Sequence, residues 1–391
     1  MDNITNEEKK VIEELRKRTV NDATPKMLED ETVFYRFAKA RDFNLVEAEA
    51  MLRKHISWRN QFQIDNMLTD YKPSEVLLEY IASSFVCFDK GGNAVRIQDW
   101  GRLDGKGLCN VFTKTEIAKY FVYLVEKDKA AVLKKGGNLR KPIFCPIYDF
   151  EDFTYAKAVH LTSLQYLSYF LKIFIDNYPE LVKIITVINA SLPVVCVYNA
   201  IKTVLPATVT EKIRIYGADG WKQGLLENIE ADDLPAYLGG NKTDPDGNPL
   251  CETFIQRGKP IPKRYYKQSG GKRLILGPHV ETCRVMPLSK KEITLEVMED
   301  NSFLEWEFEI TKGDINFSLR FTEKTSDNFE CMELIPEQRI DTSLEAEKGC
   351  FKCEKQGNYT IIFDNSYSWF HSKEVHYRAI IRNPKNSQLY K

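Results

Sequence analysis

Residues 183–202 read KIITVINASLPVVCVYNAIK, and this stretch decides between a membrane span and a buried α/β core. The 18 residues between Lys183 and Lys202 carry no charge, which is the lower limit of length for a spanning helix. Residues 184–188 are rich in β-branched side chains, which favour a buried strand, and Pro193 favours the start of a helix. Asn189, Ser191 and Asn199 place further polar side chains in this stretch, which disfavours a membrane-spanning helix. We therefore predict a strand followed by a helix, and no membrane span.

The same alternation of strand and helix extends to both sides of this stretch. Strand patterns cover residues 83–88, 94–100, 143–148 and 213–216, and helix patterns cover residues 115–133, 159–177 and 194–205. This alternation predicts an α/β layer with a mainly parallel sheet. The helix at 159–177 is apolar around most of its circumference, which favours a central core helix over a pocket wall. The amphipathic helix at 194–205 fits either a core element or a lid.

The two ends of the chain differ in the spacing of their apolar residues. Residues 4–68 have apolar residues at helical spacing, whereas residues beyond 290 alternate apolar and polar side chains with a period of two. Residues 253–280 contain seven cationic residues and no acid, together with Pro and Gly, as linkers do. We expect a multidomain α+β protein with the following parts: a helical leader (1–70), an α/β domain (71–252), a basic linker (253–271), an antiparallel β-sandwich (272–384) and a tail (385–391).

Composition limits the class of function. The 391 residues exceed the size of a single core, and 55 basic residues balance 56 acidic ones. This balance argues against a nucleic-acid binder and against permanent electrostatic adhesion to anionic lipid. The first ten residues lack the pattern of a secretory signal, so we expect a cytoplasmic protein with nine reduced cysteines.

No motif indicates an enzyme. The glycines at 101–107 do not have the spacing of a phosphate-binding loop, no GxSxG elbow occurs, and the five histidines are dispersed. Cys350 and Cys353 form a lone CxxC pair, which we interpret as two structural thiols because zinc needs four ligands. We expect no catalytic residue, no metal and no cofactor other than a bound lipid.

Several motifs in fixed order resemble a known family. FYRFAKARDF (34–43) and AMLRKHISWR (50–59) resemble the helical leader of CRAL-TRIO lipid-binding proteins. NYPE (177–180), EKIRIYG (211–217) and DLPAYLGG (233–240) resemble the rest of that module, and the sandwich is similar to a GOLD domain. The order of these parts is similar to that of the Sec-fourteen-like group.

The resemblance implies an α/β bag that encloses one lipid, with the helix at 194–205 as a mobile gate. The apolar stripe of this helix consists of Val194, Val197, Tyr198, Ile201, Val204 and Leu205.

In family members that bind phosphatidylinositol, an arginine, a glutamate and a lysine hold the headgroup, and these fall on Arg41, Glu180 and Lys212. Ordinary ion pairing of these three residues stays open as the alternative. Leu181 stands where a second arginine can occur, and Val209 where a threonine can. We therefore expect weakened phosphatidylinositol binding, with an isoprenoid such as tocopherol or squalene as competitor.

Two classes of function follow. The first is a lipid-binding and transfer protein that exchanges its ligand at a transient membrane contact and is otherwise cytoplasmic. Lys263, Arg264, Tyr265 and Tyr266 are candidates for that contact, and a plain solvated linker is the alternative. The second class is a lipid-sensing adaptor whose sandwich binds a protein partner.

Overall fold

The computed structural model describes residues 4–203, 205–266, 278–311, 313–324, 329–342 and 346–383. By its internal contacts the chain divides into two compact units. The first consists of Met1–Arg53 with Asp65–Tyr266, and the second of Lys54–Ile64 with Lys267–Lys391.

Short helices form the N-terminal part of the chain, as its helical spacing predicted. They are α1 (Asn6–Thr19), α2 (Pro25–Leu28), α3 (Val33–Lys39), α4 (Leu45–Phe62), α5 (Met67–Asp70) and α6 (Glu75–Tyr80). Helix α1 begins with a capping box: the Thr5 hydroxyl accepts from the Glu8 backbone, and the Glu8 carboxylate accepts from the Thr5 backbone. Helices α1 and α3 pack together.

A five-stranded sheet follows, and it confirms the predicted α/β layer. Its order is β1 (Ser83–Phe88), β2 (Ala94–Asp99), β3 (Phe144–Asp149), β4 (Ile185–Ile188) and β5 (Ile213–Ile215). Strands β1 and β2 form an antiparallel hairpin, and β2 to β5 run parallel. The accompanying helices are α7 (Gly105–Val111), α8 (Lys114–Lys134), α9 (Tyr155–Ala158), α10 (Leu161–Asn177), α11 (Leu192–Ile201), α12 (Ala207–Thr210) and α13 (Trp221–Asn228).

The two faces of this sheet differ in what they pack against. One face carries Val95, Ile97, Cys145, Ile147 and Ile188, which form a closed core with α13 and with the segment that follows it. Because side chains alternate along a strand, the intervening residues of β2 to β5 point to the opposite face. That second face borders a cavity.

Helix α11 is shorter than the sequence predicted. The predicted helix covered residues 194–205, whereas α11 runs from Leu192 to Ile201 and has its C-cap at Lys202. The prediction was wrong at the C-terminal end because Pro206 disfavours helical backbone at Leu205. Val204 lies outside the described residues.

Residues 253–266, which the sequence predicted as part of a linker, belong to the first unit. Ile255 and Ile261 are buried, and the backbone N–H of Gly258 donates to Asp99 Oδ2 over 3.0 Å. The predicted domain boundaries remain predictions.

The second unit is an antiparallel β-sandwich, as the period of two predicted. The strands are β6 (Glu281–Val285), β7 (Lys290–Val297), β8 (Ser302–Ile310), β9 (Asp314–Lys324), β10 (Phe329–Asp341), β11 (Glu347–Cys353), β12 (Gly357–Asp364) and β13 (Lys373–Arg382). The order of strands is β10-β9-β12-β7 in one sheet and β11-β8-β13-β6 in the other. Phe308, Phe317 and Phe363 are fully buried at its centre.

Two sequence expectations bear on chemistry and on membranes. All nine cysteines are free thiols, and Cys350 is exposed whereas Cys353 is buried. Across the described ranges, no helix has the length and apolarity needed to cross a membrane. Within the same ranges, no cluster of His, Cys, Asp and Glu could hold a metal ion.

Candidate functional site

A cavity of about 520 Å³ lies within the first unit, against the open face of the sheet. This volume falls within the range of small-molecule and cofactor sites. The sheet contributes side chains that alternate along each strand: Ala94, Arg96, Gln98, Phe144, Pro146, Tyr148, Ile185, Val187, Ile213 and Ile215. Most of these side chains are apolar, so the cavity suits a mainly hydrophobic ligand.

Helix α10 forms one wall of the cavity. Its apolar lining residues are Leu164, Leu167, Phe170, Leu171, Phe174 and Ile175. Phe170 also packs on Phe121 of α8, with ring centroids 4.7 Å apart. The prediction of a central core helix was therefore wrong. A helix between protein and a hydrophobic cavity needs apolar residues on both sides, so its sequence resembles that of a core helix.

Helix α11 closes the cavity with its apolar stripe. Of the predicted gate residues, Val194, Val197, Tyr198, Ile201 and Leu205 line the cavity, and Val204 lies outside the described residues. The opposite face of α11 carries Leu192, Cys196 and Asn199, which are exposed. The helix is therefore a thin wall between the cavity and solvent.

The three predicted headgroup residues all line this same cavity. Arg41 follows α3 and donates from Nη1 to the carbonyl of Ala40 over 2.9 Å. Glu180 Oε2 lies 3.5 Å from the ammonium of Lys39. Among the described residues the Lys212 ammonium has no ion-pair or hydrogen-bond partner. Three elements that are distant in sequence thus bring these charges to one cavity, and their role in binding remains a prediction.

The position of Glu180 is fixed by its neighbours. The Tyr178 hydroxyl donates to Glu126 Oε1 over 2.8 Å, and Arg36 donates to the Pro179 carbonyl over 3.3 Å. Arg36 is itself buried and paired with Asp30. Glu180 has a φ of 62°, a left-handed conformation that is unfavourable for residues other than glycine. Backbone strain of this kind concentrates at functional sites, which supports a role for this carboxylate.

One ion pair lies in the wall of the cavity. Arg96 of β2 donates from Nε and Nη2 to the two carboxylate oxygens of Asp128 on α8, each over 2.6 Å. Both side chains are almost fully buried. The bidentate geometry satisfies both groups, so this pair adds no net charge to the cavity.

The predicted membrane-contact residues have two different environments. Lys263 and Arg264 are exposed. Tyr265 and Tyr266 are half-buried against an apolar cluster that includes Tyr80, whose ring centroid lies 5.9 Å from that of Tyr265. The two tyrosines therefore contribute to packing within the first unit, and the membrane role of all four residues remains a prediction.

An exposed apolar surface beside α11 was not predicted from the sequence. Helix α9 contacts α11, and large apolar side chains are exposed on and next to these two helices. We call this surface the gate-side patch; it consists of Tyr155, Val159, Leu161 and Leu192. Residues 155–161 and Leu192 are brought together by the packing of α9 on α11, and no residue spacing in the sequence indicates that these two helices pack.

Two curated proteins and one solved structure are similar to parts of this chain. Protein ctg-1 of Caenorhabditis elegans is 25% identical over 356 residues, which cover 89% of this chain and 90% of that protein. Protein real-time of Aedes aegypti is 24% identical over 307 residues, which cover 75% of this chain and 46% of that protein, so the match spans about half of the relative's length. The crystal structure of Sfh5 aligns with a TM-score of 0.46 at 18% identity, covering 57% of this chain and 84% of that one.

The match to a family model falls on the α/β part of the chain. Residues 78–240 match the family model of the CRAL/TRIO domain, and this range contains the whole five-stranded sheet together with α7 to α13. The β-sandwich is present, whereas its similarity to a GOLD domain remains a prediction. Residues 78–240 are therefore similar to a CRAL/TRIO domain, and most of the residues that line the cavity lie within this range.

Proposed function

We propose that this protein encloses one hydrophobic ligand in the cavity and exchanges it at membranes through α11. The observation that carries the proposal is the apolar cavity whose outer wall is one short helix with solvent on its other side. Pro193 is the second residue of α11 and Pro206 follows its last residue by five positions, so a proline marks each end of this segment, which suits a separately bounded gate.

The energetics of a lipid tail favour exchange at a membrane. Removing a sixteen-carbon chain from water is worth on the order of 12 kcal/mol, at ~0.8 kcal/mol per methylene. Release into solution would be correspondingly slow. An opening that faces a bilayer keeps both the tail and the apolar side of α11 out of water. The gate-side patch supports this mode because it gives the protein apolar contact area next to the opening.

The proposed ligands are phosphatidylinositol and an isoprenoid such as tocopherol or squalene. Arg41 and Lys212 supply positive charge for a phosphate, and Glu180 can accept hydrogen bonds from inositol hydroxyls. Leu181 is fully buried and Val209 lines the cavity, so neither adds a polar contact for the headgroup. We therefore expect phosphatidylinositol to bind weakly enough that a neutral lipid competes with it.

Two measurements test this proposal. Mass spectrometry of a solvent extract of the purified protein should find one of these lipids. Lys212→Ala and Glu180→Ala should lose phosphatidylinositol uptake from vesicles while uptake of squalene persists. Lys202→Ala is the matched control, since this exposed lysine follows α11 without lining the cavity. Unchanged phosphatidylinositol uptake in both site variants would remove the headgroup assignment.

A second candidate is a lipid-sensing adaptor that binds a protein through the β-sandwich. It is favoured by Trp369 and Phe370, which lie between β12 and β13 and expose 72% and 87% of their surface. Exchange of labelled lipid between vesicles by the purified chain discriminates the two, because an adaptor need not transfer lipid. In both proposals the protein is not an enzyme, and it acts in the cytoplasm with reversible membrane contact.

A further inference from the structure

Two hydrogen-bond donors on the cavity face of the sheet have no acceptor. Tyr148 of β3 and Gln98 of β2 are paired in register on adjacent parallel strands, and both side chains line the cavity. Adjacent strands lie ~4.8 Å apart, so these two side chains are lateral neighbours. Within the part of the chain that the structure describes, neither the Tyr148 hydroxyl nor the Gln98 amide nitrogen has a hydrogen-bond partner.

The orientation of the Gln98 amide follows from its neighbour. Trp100 Nε1 lies 2.9 Å from Gln98 Oε1, and an indole nitrogen can only donate. The amide oxygen is therefore engaged, and the NH₂ group remains available to the cavity. The Trp100 ring also packs edge-on against Tyr148, with centroids 6.2 Å apart. Both donors are thus held in place by the same indole.

Burial keeps the tyrosine in its donor form. Removal from water raises the pKa of Tyr148 to about 12, so its hydroxyl is protonated throughout the physiological range. Several other polar side chains of the lining are engaged, among them Arg96, which pairs with Asp128, and His160, whose Nδ1 lies 2.8 Å from Ser163 Oγ. Tyr148 is half-buried and faces a mainly apolar cavity, where a ligand oxygen would give its hydroxyl the acceptor that the described residues do not supply.

We propose that Tyr148 and Gln98 form a donor pair that binds the oxygen of a neutral lipid, such as a long-chain alcohol, phenol or ketone. This inference rests on the proposed function, because it assigns a ligand class to the same cavity. The donor pair itself carries no charge to compensate an anion, and Arg96 on the same face of the sheet is already neutralised by Asp128, so the pair suits a neutral oxygen.

The donor pair is distinct from the charged residues. Phe144, at the start of β3, forms a β-bridge with Val182, which lies two residues after Glu180. Tyr148 lies four residues further along β3. At 3.3 Å per residue this separation is ~13 Å. Lys212 lies just before the start of β5. The last residue of β5, Ile215, is the one aligned across the sheet with Val187 and Tyr148. The headgroup candidates therefore lie toward the start of the parallel strands, whereas the donor pair lies near their ends, where Lys106 and Lys157 of the following helices also line the cavity.

The test compares two probes that differ by one oxygen. Delipidated full-length protein is equilibrated with phosphatidylcholine vesicles that contain radiolabelled 1-hexadecanol or hexadecane, and the ratio of the two uptakes is measured. Tyr148→Phe should lower the preference for the alcohol about 3- to 10-fold, the usual range for one hydrogen bond. Tyr216→Phe is the matched control, since Tyr216 packs with the closed core and does not line the cavity.

A second measurement covers the stability of the variant. Because the Tyr148 hydroxyl has no partner among the residues that the structure describes, ligand-free Tyr148→Phe should unfold at the same temperature as the parent or higher. An unchanged alcohol preference in a folded Tyr148→Phe protein overturns the donor pair and leaves the proposed function standing. Failure of the parent protein to take up either probe overturns both.

Discussion

The gate-side patch gives the sharpest test of exchange at a membrane. Val159 is 74% exposed. Complete burial of a valine side chain is worth ~1.5 kcal/mol, so insertion of the exposed part into a bilayer should contribute ~1 kcal/mol. Val159→Asn should therefore weaken vesicle binding about fivefold. Leu192 is 64% exposed, and the double variant with Leu192→Asn should lose on the order of 50-fold if the two effects add.

The chain offers a matched control for this experiment. Val46 on α4 is 73% exposed, so Val46→Asn makes the same chemical change at the same exposure on a different helix. Co-sedimentation with phosphatidylcholine vesicles measures binding, and transfer of a fluorescent lipid between vesicles measures exchange. Both quantities should fall for Val159→Asn and stay unchanged for Val46→Asn. Equal losses in the two variants, or no loss in either, would refute the role of the patch.

Three further outcomes follow from the contacts in the first unit. Asp128→Ala should lower the free energy of unfolding by about 3–5 kcal/mol, because it leaves Arg96 buried without its partner. The double variant Arg96→Met with Asp128→Leu should recover most of the lost stability, as measured by urea unfolding. At Asp89 burial raises the carboxyl pKa, but hydrogen bonds from Asn93 and Lys183 outweigh it and hold the pKa below its usual value. The resulting stability is present above the ordinary carboxyl pKa near ~4 and is lost as pH falls through the lower folded-state value, so Asp89→Asn should flatten the acid limb of a stability–pH curve. Glu180→Gly should be more stable than Glu180→Ala by about 1 kcal/mol in thermal unfolding, because glycine adopts the positive φ of this position without strain.

The strands of the sheet and most of those of the sandwich could be predicted because they have local signals. Residues 184–188 are β-branched and charge-free, and β4 (Ile185–Ile188) lies within them. Strands β7, β8 and β9 follow the clean alternation of their sequences. Strand β10 was not predicted because its pairing with β9 shifts register twice, between Glu333 and Ile335 and again between Ile335 and Gln338. Bulges of this kind interrupt the period of two on which a strand prediction depends.

The cavity could not be predicted from periodicity, for a physical reason. Leu167 and Leu171 of α10 line the cavity, and Ile173 is buried without lining it, yet all three are apolar. Hydrophobic burial does not depend on whether the covering surface is protein or lipid. The resemblance to a family led to Arg41, Glu180 and Lys212, which line one cavity. Tyr148 and Gln98 have no sequence signal, because their significance lies in the partners that they lack.

In the proposed function, the charges around the cavity determine which lipid binds, whereas its apolar walls determine whether any lipid binds. Arg41 and Lys212 contribute two positive charges at one end, and the carboxylate of Glu180 there is balanced by Lys39. That end therefore has a surplus of about two positive charges, which an anionic headgroup neutralises and a neutral lipid does not. In the proposed function the tail of either lipid would meet the apolar faces of α10, α11 and the sheet. Loss of these charges should consequently change which lipid is carried, whereas loss of the apolar seal at α11 should prevent carriage of any lipid.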